Sequence, residues 1–157
     1  MKKQINIQNR SSRMICLVDI ENCAGSGDLS SRQAEAVRLA ISRAVPAAVM
    51  KVVACSHHNA VPTLFSFMDA RVLLRSGPDG ADLALLDVLE HEHVPSRFGK
   101  VIIASGDGIF APASRRLLSC GVHVEVLSTS DRLSGELAAS CSNVRYISVA
   151  ELEAGNV

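Results

Sequence analysis

Asp19, Asn22, Asp82, Ser105 and Asp107 are the residues of this 157-residue chain whose types and settings suggest chemistry. Asp19 directly follows the apolar run 15–18, where a carboxylate is costly unless a cation or several donors meet it. Asn22 comes three residues later. Ser105-Gly106-Asp107-Gly108 follows a second apolar run, and a loop of such small residues lets backbone and carboxylate approach a ligand closely. For Asp19, Asn22 and Asp107 the structural alternative is a helix cap or an Asx-turn.

Asp82 is the most telling of the set. At about 100° per residue, Leu85, Leu86 and Leu89 fall roughly −60°, +40° and −20° from it around a helix axis, so it sits in the middle of an apolar face. Asp87, at about 140°, is on the solvent side. Stabilising the helix start is the structural role open to Asp82, worth up to about 1–2 kcal/mol; a metal ligand or an active-site base accounts better for an acid so placed. Three carboxylates brought together repel one another unless a hard divalent cation lies between them. An all-oxygen set of Asp, Asn and Ser suits Mg²⁺ or Mn²⁺ rather than Zn²⁺. Such ions work on phosphates, where they activate water and neutralise charge. His57 and His58, with Ser56 and Asn59 beside them, follow another predicted strand and can contact a phosphate or a leaving group. An ordinary polar loop is the alternative there.

To act together these residues must be carried to one edge of a common frame. Short Val- and Ile-rich runs alternate with longer stretches of helical period, the pattern of a parallel sheet flanked by helices. Six strands are predicted, over 14–19, 48–54, 71–74, 100–104, 122–127 and 144–147. The first and fourth are apolar throughout and belong in the interior, whereas VHVEVL alternates as a half-exposed strand would. Helices are expected over 31–44, closed by Pro46; briefly over 62–68; from an N-cap at Asp79 to about Glu90; from Pro112 to a stop at Gly121; and from a cap at Ser130 to about Ala139. The fold expected is α/β, a three-layer α/β/α sandwich around a mainly parallel, doubly wound sheet. Ligands of such sheets bind beyond the carboxyl ends of the strands, where strand order reverses, and the acids fall at those ends.

Composition narrows the class further. With 48% hydrophobic and 20% charged residues the chain has a core and is not a disordered tract. Five cysteines, odd in number and without C-x-x-C spacing, fit a reduced interior better than a disulfide framework or a zinc ribbon. No apolar run approaches the roughly 18 residues of a membrane span. We therefore expect a cytoplasmic protein that does not engage a membrane. Sixteen basic and sixteen acidic residues balance, but residues 1–18 hold Lys2, Lys3, Arg10 and Arg13 and no acid. A flexible basic leader over 1–12, one domain over 13–150 and a tail over 151–157 are expected.

The blocks VDIEN, GADLALLDVL and IIASGDGIF, in that order, resemble the NYN domain of the PIN-like nuclease superfamily over about residues 13–147. The resemblance implies a Rossmann-like three-layer sandwich and metal-dependent cleavage of RNA. Asp19, Asn22, Asp82 and Asp107 match the family's metal-site positions and Ser105 its small hydroxyl residue. The family often carries a second acid two residues after the first in the last loop, and here that position is Ile109. The implied partner is an RNA substrate; homodimerisation is left open. A receiver-type phosphoacceptor domain needs a Lys at the end of the fifth strand, where this chain has Leu127-Ser128-Thr129. A non-catalytic RNA-binding or interaction domain is the other alternative. With aromatic residues at 3% and no Trp, base-stacking platforms are scarce.

Overall fold

A computed structural model of the chain describes residues 12–149, and the expected leader and tail lie outside these apart from Ser12. The strands are β1 (Met14–Asp19), β2 (Met50–Cys55), β3 (Arg71–Leu74), β4 (Lys100–Ala104), β5 (His123–Ser128) and β6 (Asn143–Tyr146). All pair in parallel in the order β3-β2-β1-β4-β5-β6. Strand order reverses between β1 and β4, the two uniformly apolar runs, which lie side by side at the centre of the sheet.

The helices are α1 (Ile20–Ala24), α2 (Ser31–Ala44), α3 (Ala60–Ser66), α4 (Gly80–His91), α5 (Val94–Arg97), α6 (Ala111–Ser119) and α7 (Gly135–Ala139). Two apolar layers sandwich the sheet, fed by alternate residues of each strand. Ile15, Leu17, Val101 and Ile103 pack with Leu85, Val88 and Leu89 of α4 and Leu117 of α6. Cys16, Val18, Ile102 and Ala104 pack on the other face with Ala34, Val37 and Ile41 of α2. The same alternation carries Asp19 and Ser105 to the face covered by α4, which lies over β1, β2 and β3. Among the described residues, no helix is long and apolar enough to cross a membrane.

Four expectations are corrected. β5 is not half-exposed: five of its six residues are buried, including Glu125. The break in its apolar pattern is a buried ion-pair site rather than a wet face. The last helix is capped by Ser134, whose side chain accepts from the Leu137 amide, and not by Ser130. Asp79 occupies the N-cap position of α4 and its carbonyl accepts from the Leu83 amide at 2.8 Å, but its side chain makes no capping bond. Its backbone has φ 55°, because the chain turns sharply there and Gly80 lies against the Arg75 carbonyl, where an added Cβ would stand 2.4 Å from the oxygen. Finally, Asp82 is at the edge of the buried arc of α4 rather than in its middle. Ala81, Ala84, Leu85, Val88 and Leu89 are buried and Leu86 only partly so.

Candidate metal centre

Asp19 ends β1 and doubles as the N-cap of α1, its Oδ1 accepting from the Asn22 amide at 3.2 Å. One donor does not discharge a buried carboxylate, and Asp19 is only 5% exposed. Asp82, at 6%, enters from the first turn of α4. Its Oδ1 is buried without any hydrogen-bond partner. Asp107 follows β4 and accepts from the Ile109 amide at 2.9 Å, so it does form the anticipated cap, here of a single 3₁₀ turn. Capping leaves the rest of its carboxylate available. Carboxylate oxygens of Asp79, Asp82 and Asp107 lie within 4.8 Å of one another.

The electrostatics follow from this crowding. Burial, then the adjoining Asp19 carboxyl, then the negative charges of Asp19 and Asp107 push the Asp82 carboxyl up to about 9. Burial likewise raises Asp19, opposed by hydrogen bonds from Asp82 and the Asn22 amide. Without a cation the cluster holds a proton at neutral pH that an ordinary aspartate would have lost.

Asn22 and Ser105 brace the loop that carries Asp107. The Asn22 Oδ1 accepts from the Gly106 amide at 3.0 Å, and the Ser105 hydroxyl accepts from the Asp107 amide at 3.2 Å. Gly106 is required here, since an added Cβ would lie 2.2 Å from the Arg132 carbonyl oxygen. His57 and His58 are not brought into the acid group. The His57 Nδ1 is 2.8 Å from the Ser76 hydroxyl; the His58 Nε2 is 2.6 Å from the Gly27 carbonyl and 3.2 Å from Asp28, out on the rim.

Two acids of the site were not singled out by sequence reasoning. Asp79 was assigned to capping, although its i, i+3 spacing from Asp82 places the two on neighbouring positions of one helix end. Glu21 lies inside the VDIEN block itself. It accepts from the Ser56 amide at 2.7 Å, the Ser56 hydroxyl at 2.9 Å and the Asn59 amide at 3.2 Å, tying α1 to the end of β2. Asp19, Glu21, Asn22, Ser56, Asp79 and Asp82 line an open cleft of about 260 Å³. Ile109, in place of a second loop acid, is turned into the apolar layer under α4 and adds no ligand.

The donor set is entirely oxygen, it carries more negative charge than its surroundings neutralise, and one of its buried oxygens has no partner. Those properties fit a hard divalent cation. A doubly wound parallel sheet with an acid cluster at its switch point has the build of a divalent-cation site. The NYN domain model matches residues 13–148, and the chain belongs to this family, whose members are generally nucleases of PIN-like fold. The fold is also similar to that of a protein of unknown function from Vibrio parahaemolyticus RIMD 2210633, known from its crystal structure. The two share 16% identity at a TM-score of 0.62, covering 89% of this chain and 95% of that one. No curated protein matches.

Proposed function

We propose that the protein is an endoribonuclease that uses Mg²⁺ or Mn²⁺ to hydrolyse RNA phosphodiester bonds. The observation that carries this reading is the partnerless buried oxygen of Asp82, a residue grouped with Asp79 and Asp107 and adjoining Asp19. Asp19, Asp82 and Asp107 would hold the ion or its waters, with Asp79 at the mouth of the cleft as a further acid. When bound, the ion supplies an activated water and neutralises charge on the phosphate. Asn22 and Ser105 fix the Asp107 loop and orient ligands or phosphate, while Glu21 keeps α1 docked on β2. His57 and His58, on the rim, would meet the strand as it leaves the cleft. A cytoplasmic setting, where RNA substrates abound, agrees with this reading.

One observation favours a second reading. Ile109 packs in the core where the family often has a second acid, so the centre is poorer in ligands than in many relatives. A domain that binds RNA with little or no turnover follows from that.

Purified protein incubated with mixed structured and single-stranded RNAs in Mg²⁺, Mn²⁺ or EDTA separates the two. Cleavage confined to the metal-containing reactions, and lost by about 100-fold or more in Asp19→Asn, is the expected result. Cleavage that continues in EDTA, or that ignores Asp19→Asn, overturns the mechanism. RNA retention in EDTA with no product establishes the second reading.

A further inference from the structure

Beyond the ends of β5 and β6, next to the acid cleft, lies a second hollow of about 510 Å³, larger than the cleft itself. Its walls include Thr129, Ser130, Asp131, Arg132, Tyr146 and Ser148. Tyr146 is the chain's sole tyrosine, a residue 63% exposed at the end of an edge strand. Three of the four phenylalanines, Phe67, Phe98 and Phe110, are fully buried, and the fourth, Phe65, is 76% exposed but lies on α3, by β3 at the opposite edge of the sheet. Tyr146 is thus the one exposed aromatic lining a hollow on this edge among the described residues. An exposed flat ring beside hydroxyls presents the surface on which an unstacked base rests.

The hollow is joined to the acid cluster through backbone rather than through mobile side chains. Gly106, in the loop that carries Asp107, lies against the Arg132 carbonyl, and its own carbonyl accepts from the Ser134 amide at 2.8 Å. Tyr146 is registered beside Ser128, whose hydroxyl would stand 2.6 Å from a Cβ added at Gly106. The Arg132 guanidinium lies over Gly25, which follows α1 in a left-handed conformation with φ 69°. It is fastened by the Thr129 hydroxyl at 3.2 Å and Asp131 at 3.6 Å. The Arg132 guanidinium and the exposed Asp131 carboxylate offer donors and acceptor oxygens side by side, the complement of a base's hydrogen-bonding edge. From β4 to β6 is two strand spacings, roughly 10 Å, a distance that an extended strand covers in a few nucleotides. An adjoining hollow of about 350 Å³ shares Tyr146 and is lined by Arg43, a cation for a neighbouring phosphate, and by Arg145, which is held by Glu125 and the Ala44 carbonyl.

We propose that the hollow at the ends of β5 and β6 is a subsite for one unpaired RNA nucleotide, its base stacked on Tyr146 and its edge met by Arg132 and Asp131, next to the phosphate held at the acid cluster. This rests on the reading of the acid cluster as a phosphodiester site, but its test does not need turnover. Because the chain has no tryptophan, tyrosine emission reports Tyr146 alone. Titrating the protein in EDTA with a short single-stranded RNA should quench that emission. By anisotropy, Tyr146→Ala should bind the same RNA about tenfold more weakly, Tyr146→Phe should bind as the parent does, and duplex RNA should be indifferent to either change. No binding by the parent, an unchanged affinity in Tyr146→Ala, a Tyr146→Phe as weak as Tyr146→Ala, or an equal loss for duplex RNA overturns the subsite. A protein that shows the expected ratios yet never cleaves RNA overturns the nuclease reading alone. One that cleaves in Mg²⁺ but ignores Tyr146 overturns the subsite alone.

Discussion

Glu125 on β5, at 4% exposure, and Asp82 on α4, at 6%, are carboxylates buried to nearly the same depth, and their surroundings are opposite. Glu125 receives Arg145 at 2.8 Å, Asn143 at 3.1 Å and Lys100 at 3.2 Å. Burial pulls its carboxyl upward, but the hydrogen bonds from Arg145, Asn143 and Lys100 outweigh that and hold it below the usual range. Asp82 has other aspartates for neighbours and an oxygen with no partner, and it is driven far upward. Where the fold uses a buried acid as structure, it builds the counter-charge into adjacent strands. At the switch point none of the described residues supplies a counter-charge to Asp82.

The comparison breaks most visibly at Glu125. Glu125→Gln keeps the shape and leaves Lys100 and Arg145 without their anion; both cations reach solvent, so the cost should be about 1–3 kcal/mol rather than the full penalty of a buried unpaired charge. Its pH dependence has a definite sign. A carboxyl held low when folded stays ionised after the unfolded chain has taken up its proton, so its stabilisation is whole above about 4.5 and disappears as pH falls through the folded value. Denaturant melts of the two proteins should therefore differ at neutral pH and converge in acid. A constant difference down to low pH would assign the loss to shape instead of charge. Glu125 also marks the limit of what the sequence discloses. The pattern places all six strands and the interior position of β1 and β4, because apolar runs record burial directly. An isolated acid in such a run records only that burial was interrupted. Whether cations close over it depends on Lys100 and Arg145, which are 25 and 20 residues away and meet it only through strand register. At the candidate site the reverse holds: Asp19, Asp82 and Asp107 stand out because each adjoins an apolar run, while Asp79 and Glu21, in polar settings, do not.

Asp82 should respond with the opposite sign and a smaller size. When folded it keeps a proton that the unfolded chain has already released, so its contribution is whole below about 3.8 and is lost as pH rises toward about 9. Asp82→Asn retains the shape and ends that loss. We expect the metal-free variant at neutral pH to be as stable as the parent or about 0.5–2 kcal/mol more so, with a flatter pH profile. Millimolar Mg²⁺ or Mn²⁺ should raise the melting temperature of the parent by binding the folded state, and should leave the variant unmoved. A variant that melts lower in EDTA and still responds to metal would identify Asp82 as a structural aspartate.

The smallest effect is expected five residues along the same helix. Asp87, Glu90 and His91 form another group close enough to share an ion, so proximity of acids alone does not separate it from the switch-point cluster. What separates them is solvent and counter-charge. Asp87 is 60% exposed and meets Arg75 at 3.1 Å; Glu90 meets Arg116 at 3.2 Å. Water and two arginines already supply what a cation would, and an exposed pair of this kind is worth about 0–1 kcal/mol. Asp87→Asn should accordingly change stability by no more than about 0.5 kcal/mol, and should alter neither the metal-induced rise in melting temperature nor RNA cleavage. Should Asp87→Asn abolish the metal response while Asp82→Asn preserves it, the ion would belong on the solvent face of α4, and an unpaired oxygen in a buried cluster would have been the wrong guide to where it binds.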